Sequence, residues 1–216
     1  MSYPDAAPGL SEARKSRVML WLGWAVILGL GAFFLQKYAF HYFVFTPESY
    51  GTYFWPRISW VVPHVASGLL AVVIGPLQFW PKIRRDYLQF HRIAGRVYVV
   101  AVLIGSMAAF GLAAKIDNGS AYSLGLAGLA VAWLTTTTMA FVAIRRKNLE
   151  QHKQWMVRSY VVTFAFVIFR LCDDSMRAMH VLNEDERSKI LAWASWAIPL
   201  LVTEAIIQGR AVFKTR

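Results

Sequence analysis

Cysteine is almost absent from this chain. The single Cys172 excludes an internal disulfide and a cysteine-based metal cluster. Acidic residues are scarce too, 12 against 23 Lys and Arg, for a formal net charge of +11. A Walker loop, a GxSxG elbow, an HExxH helix and a dinucleotide fingerprint are all missing, so hydrolase and nucleotide-driven mechanisms have no motif behind them. No repeat of about 33 to 47 residues marks a solenoid. What the chain has instead is apolar length. Of its 216 residues 57% are hydrophobic, and mean hydropathy is +0.42, well above the balance of a soluble domain. The basic residues stand in short clusters between apolar runs, which is the pattern of a membrane protein and not of a nucleic-acid surface.

Each apolar run is close to the roughly 20 residues that cross hydrocarbon. Backbone polar groups find no water there, so each span must be helical. The expected fold is all-α: a polytopic bundle of six transmembrane helices. Residues 1–17 read as a polar tail. The first span, 18–36, is long for a signal-peptide core, and Gln36-Lys37-Tyr38 offers no small-residue cleavage site, so it reads as a retained helix. Residues 37–57 are rich in Tyr, Phe and Trp and form an outer interfacial segment, either a belt or short surface helix or a lid over an outer site. Residues 58–173 make a four-helix core of spans two to five. The second runs from Ile58 to Trp80, the third over 87–113 with Asp86 as its cap, and the fourth over 121–144 after a turn at Lys115–Gly119. The fifth starts at a capping box of Asn148 and Gln151 and ends near Asp173. An outer loop at 174–188, a sixth span at 189–209 kinked at Pro199, and a tail at 210–216 complete the chain.

This layout sorts the charges. Arg14, Lys15, Arg17, Lys82, Arg84, Arg85, Arg92, Arg96, Arg145, Arg146, Lys147, Lys153, Arg158, Arg210, Lys214 and Arg216 share one side; Lys37, Arg57, Lys115, Arg177, Arg187 and Lys189 fall on the other. The positive-inside rule then makes both termini cytoplasmic, in a bacterial inner membrane.

Charge inside hydrocarbon costs about 2.5–3.5 kcal/mol per group on insertion scales, so polar side chains within the spans point to partners or cavities. An inner layer holds His91, Arg92, Arg96, His152 and Arg158, with Glu204 and Gln208 at similar depth. Aligning Arg96 with Arg158 makes the strings Arg-x-Tyr-Val-Val coincide. Two helices entering from one side with matching polar mouths frame a single site if they are neighbours. An outer layer holds His64 and Arg170, followed by Cys172, Asp173 and Asp174. His64, Gly68, Ala71 and Gly75 share a helix face. Small residues beside an imidazole leave a flat space for a haem, or else simply let helices approach. The expected pairings are Arg170 with Asp173 or Asp174, and Glu204 with an inner arginine. Thr135–Thr138 are expected to bond their own backbone. His91 and His152 read in three ways: as the axial ligands of one haem, as members of a quinone, lipid or anion site, or as interfacial histidines.

These motifs have a family likeness. His64 with Gly75-Pro76-x-Gln78, His91-Arg92-x-x-Gly95-Arg96-x-Tyr98, and His152-x-x-Trp155-Met156-x-Arg158-Ser159-Tyr160 with Arg170 resemble a bacterial membrane family catalogued as domain of unknown function 2306. The resemblance implies an integral membrane protein with a four-helix core and carries no activity with it. A looser similarity links the chain to four-helix membrane b-type cytochromes and ferric-reductase-like domains, which place histidines on facing helices. The chain departs from their two-haem pattern, because its fourth span has no histidine. The first expectation is therefore a b-type haem electron-transfer subunit. His91 and His152 would be its metal ligands, Arg96 and Arg158 its propionate or anion partners, and His64 with Arg170 a second polar centre. Quinone or a larger membrane complex would be its partner. The alternative is a small transporter or accessory membrane subunit without a redox centre, binding an anionic lipid or small molecule; there the inner arginines bind anionic headgroups, and His64 and Arg170 line a polar cavity. A lipid-acting enzyme using His64 and Asp173 comes third.

Overall fold

The computed structural model describes residues 10–115 and 119–214; the expectations for 1–9, for the tip of the turn at 116–118 and for the last two residues lie outside the described residues. Everything described is helix, turn or coil. Helix α1 (Leu10–Phe34) continues through a wide π turn at Leu35–Ala39 and a 3-10 turn at Phe40–Phe43. A short α2 (Pro47–Phe54) is capped by Thr46, whose side chain accepts from the Ser49 N–H. It leads into α3 (Ile58–Phe79). Trp80 is extended, as a residue before proline prefers, so Pro81 ends α3 and opens the short α4 (Pro81–Asp86). Then come α5 (Leu88–Ala113), α6 (Ser120–Arg145), α7 (Leu149–Thr163), α8 (Ala165–Ala178) and α9 (Glu184–Lys214).

Six stretches are long and apolar enough to cross a membrane: Val18–Phe43, Pro47–Phe79, Leu88–Ala113, Ser120–Arg145, Leu149–Ala178 and Glu184–Phe213. They match the six expected spans. Large apolar side chains stand outward along them, Met19 at 72% and Leu201 at 70% exposure among them, which is the face lipid covers. One end of the bundle carries Arg84, Arg85, Arg145, Arg146 and Lys147 and is called the basic end below; the other, with Tyr42, Tyr50, Phe54 and Trp55, is the aromatic end.

The core is drawn from spans two to five: Ala71 of α3, Tyr98 and Val102 of α5, Trp133 and Ala140 of α6, Met156 and Tyr160 of α7, and Ala165 of α8. The sixth span packs along α6, α7 and α8. Helix α1 lies against the outside of this core through Trp24 on Phe79 (5.8 Å) and Trp21 on Trp80 (6.3 Å).

Several local expectations change. The tail is helical from Leu10. Asp86 does not cap α5: its carboxylate takes the Arg85 guanidinium at 2.7 Å, and the capping position falls on Tyr87, which makes no side-chain cap. The outer loop shrinks to 179–183, because an Asn183–Glu186 capping box starts α9 early. There the Glu186 N–H donates to Asn183 Oδ1 at 2.9 Å and the Asn183 N–H to Glu186 Oε2 at 3.2 Å. The Asn148 cap forms as expected, accepting from the Gln151 N–H at 3.1 Å. The fifth span is interrupted at Phe164. Thr163 donates back to the Ser159 carbonyl (2.9 Å), a bond that bends helices.

Candidate functional site

That break sits in a buried hydroxyl cluster tying three spans together. Tyr98 meets Ser159 Oγ and Thr163 Oγ1, each at 2.8 Å; Thr137 meets Ser159 Oγ at 2.6 Å; Trp133 Nε1–H donates to Thr163 Oγ1 at 2.9 Å. Each hydroxyl has one proton, so the directions are fixed. Thr163 spends its proton on the Ser159 carbonyl, so Tyr98 must donate to Thr163, Ser159 to Tyr98, and Thr137 to Ser159. Of the threonine run, Thr136 bonds its own helix at the Ala132 carbonyl (2.7 Å) as expected, whereas Thr137 reaches across to α7.

Beyond this cluster, toward the aromatic end, the bundle opens into a cavity of about 520 Å³. This volume is within the range of about 300–1,000 Å³ typical of small-molecule sites. Its walls include Phe34, Tyr38 and Tyr42 of the first span, His64 and Gly68 of α3, Ala109 of α5, Tyr122, Leu126 and Trp133 of α6, and Thr163, Phe166 and Arg170 of the fifth span, with Asp173, Arg177, Glu184 and Ser188 lining it as well. The two outer residues singled out by sequence therefore meet in one space.

The position of His64 follows from small residues. A Cβ on Gly105 would stand 3.0 Å from Ser67 Cβ, so only glycine lets α3 approach α5 this closely there. His64 Nδ1 then reaches the Gly105 carbonyl at 3.1 Å. A carbonyl only accepts, so Nδ1 carries the proton, and Nε2 of the neutral ring keeps its lone pair for the cavity. Phe166 holds the imidazole edge-on at 5.8 Å. Gly68, one turn on, has nothing within 4 Å of where its Cβ would be. Gly75, further along the same face, is different: the Tyr160 ring fills its space. The stripe of small residues thus serves a cavity at one end and close packing at the other.

Arg170 does not pair with Asp173 or Asp174. Asp173 is taken by Arg177 (2.8 Å) and Arg187 (3.0 Å), and Asp174 by Lys37 (2.6 Å) and the Tyr38 hydroxyl. Arg177 is the i+4 neighbour of Asp173 on α8, but Arg187, Lys37 and Tyr38 come from other elements, which spacing along α8 does not reveal. Among the described residues Arg170 has no hydrogen bond or ion pair; its guanidinium rests on the Tyr38 and Phe169 rings at 5.7 and 5.8 Å. Asp173, with its two oxygens occupied, is a tie between α8 and α9 and not an open base.

At the basic end His91 lies within electrostatic range of His152. His152 Nδ1 donates to the Ala140 carbonyl at 2.9 Å, and His91 Nδ1 is buried without a partner. Arg96 and Arg158, aligned in sequence, separate in space. Arg96 is exposed, whereas Arg158 is 5% exposed, stacked on Trp155 (4.7 Å) and bonded to Glu204 (2.6 Å) as expected for that acid. Neither lines the cavity, and among the described residues no three His, Cys, Asp or Glu side chains gather as a metal group. Residues that sequence reading missed are Lys37 and Tyr38, which latch the first span to Asp174, and Trp133, Thr137 and Thr163. Their only sequence signal is a polar atom within an apolar run.

Six apolar spans and an internal cavity define a polytopic helical membrane protein. Residues 61–207 match the family described as predicted membrane protein (DUF2306), and the chain belongs to that family. No curated protein and no solved structure matches it.

Proposed function

We propose that this protein binds an amphiphilic small molecule with an anionic head in the cavity at the aromatic end, as a small transporter or accessory subunit of the membrane. The observation that carries this is Arg170: a guanidinium with no ion pair among the described residues, lining a largely aromatic space in which Asp173 is already held by Arg177 and Arg187. An uncompensated charge at membrane depth is costly. A carboxylate or phosphate on the ligand offsets that cost with charge-assisted hydrogen bonds, each worth about 1.5–3 kcal/mol. His64 Nε2 takes a hydroxyl or a protonated carboxyl, and the ligand's apolar body lies along Gly68, Leu126 and Phe166. By the positive-inside rule the basic end is cytoplasmic, the membrane is a bacterial inner membrane, and the cavity faces the outer leaflet.

The test is binding of a spin-labelled long-chain carboxylate against the alcohol of the same chain. Wild type is expected to prefer the carboxylate by about 10- to 100-fold, from one such hydrogen bond at about 1.4 kcal/mol per tenfold. Arg170→Gln is expected to remove the preference. Equal binding of both ligands by wild type would contradict the reading.

The arrangement of His64 and His152 favours a second reading, a b-type haem electron-transfer subunit. Both rings have Nδ1 tied to a backbone carbonyl, the orientation that leaves Nε2 for a metal. Haem would supply one-electron transfer. His64 and Arg170 would hold its iron and a propionate in the cavity, or His91 and His152 its two axial positions at the basic end. An absorption spectrum before and after dithionite decides. A Soret band lost with His64→Ala places haem in the cavity, one lost with His91→Ala or His152→Ala places it at the pair, and a featureless spectrum removes the reading.

A further inference from the structure

The basic end holds a second polar cluster, outside the cavity. Gln78, in the last turn of α3, is 6% exposed, and its Nε2 is buried with no hydrogen-bond partner. Its Oε1 lies 3.2 Å from where a Cβ on Gly95 would stand, so the missing side chain at Gly95 is what lets the amide lie against α5. His91 is one turn before Gly95 on the same face. Its Nδ1 is also buried and unpartnered. Buried polar atoms without partners are rare in folded proteins. Two in neighbouring side chains point to a shared partner.

The charge of that partner follows from the surroundings. The charged groups acting on His91 are His152, Arg84 and Arg92, all basic. The acids described at this end are engaged elsewhere: Asp86 by Arg85, Glu150 by Gln154, and Glu204 by Arg158 and Gln208.

We propose that Gln78 and His91 bind a phosphate oxyanion, with Gln78 Nε2–H and His91 Nδ1–H donating to its oxygens and Arg84 and Arg92 at the rim. Where the bundle meets the headgroup layer, the phosphodiester of an anionic lipid supplies this chemistry; inorganic phosphate offers the same oxygens from water. The inference is independent of the cavity and of what it binds.

The test reconstitutes the full chain in phosphatidylcholine vesicles doped with phosphatidylglycerol, then releases it for intact mass measurement. Phosphatidylcholine carries the same phosphodiester, so selection rests on its trimethylammonium, which Arg84 and Arg92 repel; wild type is expected to retain phosphatidylglycerol enriched about tenfold over its share. Gln78→Glu, of nearly the same size, sets a carboxylate where the oxyanion belongs and is expected to abolish the enrichment; His91→Phe is expected to do the same. A parallel arm adds inorganic phosphate to delipidated protein and follows thermal unfolding. Enrichment of the lipid without a phosphate effect identifies the lipid. Stabilisation by phosphate that Gln78→Glu removes, without lipid enrichment, identifies the free ion. Neither effect, or enrichment that survives both substitutions, overturns the proposal, as does a haem spectrum that His91 or His152 substitution abolishes.

Discussion

Gly68 and Gly75 lie on the same face of α3, yet the residues they meet give them opposite roles. Gly75 is pressed by the Tyr160 ring, so Gly75→Ala forces a shift and is expected to cost about 1–3 kcal/mol in detergent-based thermal unfolding. Gly68 meets open space, so Gly68→Ala is expected to leave stability unchanged or raise it by up to about 1 kcal/mol. Gly68→Leu, by contrast, is expected to fill part of the cavity and to weaken binding of the proposed anionic ligand. Helix periodicity shows that the two share a face; it cannot show which is covered, because Tyr160 arrives from another span. The same limit applies to Arg170. Spacing along its own helix offers Asp173 and Asp174 as partners, but Arg187 and Lys37 come from other helices and take both.

The fifth span behaves as two elements joined where Thr163 bends the chain into the hydroxyl cluster. Tyr98→Phe removes the proton that satisfies Thr163 and the acceptor that satisfies Ser159. It is expected to cost about 1–3 kcal/mol in the same unfolding measurement. The tie between α8 and α9 is costlier to break. Asp173 and Arg187 are 9% and 8% exposed at the side chain, and Arg187→Met leaves part of a buried charge unpaired, for an expected loss of about 3–5 kcal/mol. Two helix ends are open to improvement. Both α6 and α8 close with the paired bonds of a Schellman motif: Asn148 N–H to Ala143 and Lys147 N–H to Ile144 in one, Val181 N–H to Met176 and His180 N–H to Arg177 in the other. Each places a non-glycine residue in the left-handed region, Lys147 at φ 61° and His180 at φ 55°. Lys147→Gly and His180→Gly are each expected to raise stability by about 1 kcal/mol. The spans themselves were legible, since apolar runs of membrane length need no knowledge of neighbours. The Asn148 cap was legible because it is local. The Asn183 box was equally local, but it was hidden inside a stretch rich enough in acids to read as loop.

At the scale of the whole molecule, a four-span core carries two polar centres at opposite ends, with the hydroxyl cluster between them. The sequence showed the two layers by depth. It did not show that His64 and Arg170 share one cavity, or that Arg96 and Arg158 part company, because depth fixes height in the bundle and not azimuth. Orientation is testable in a Cys172→Ala background. A cysteine at Arg146 is expected to react with a membrane-impermeant reagent only after cells are opened, and one at Glu184 in intact cells; the reverse pattern would invert the protein. The central claim is that Arg170 draws an anionic amphiphile into the cavity, and the most direct measurement is the intact mass of the gently released protein. The measurement is made on Gln78→Glu protein, whose basic-end site is blocked: the expected result is an anionic adduct that disappears when Arg170→Gln or Gly68→Leu is added. A Gln78→Glu mass without such an adduct, or an adduct that both added cavity substitutions leave in place, would contradict it.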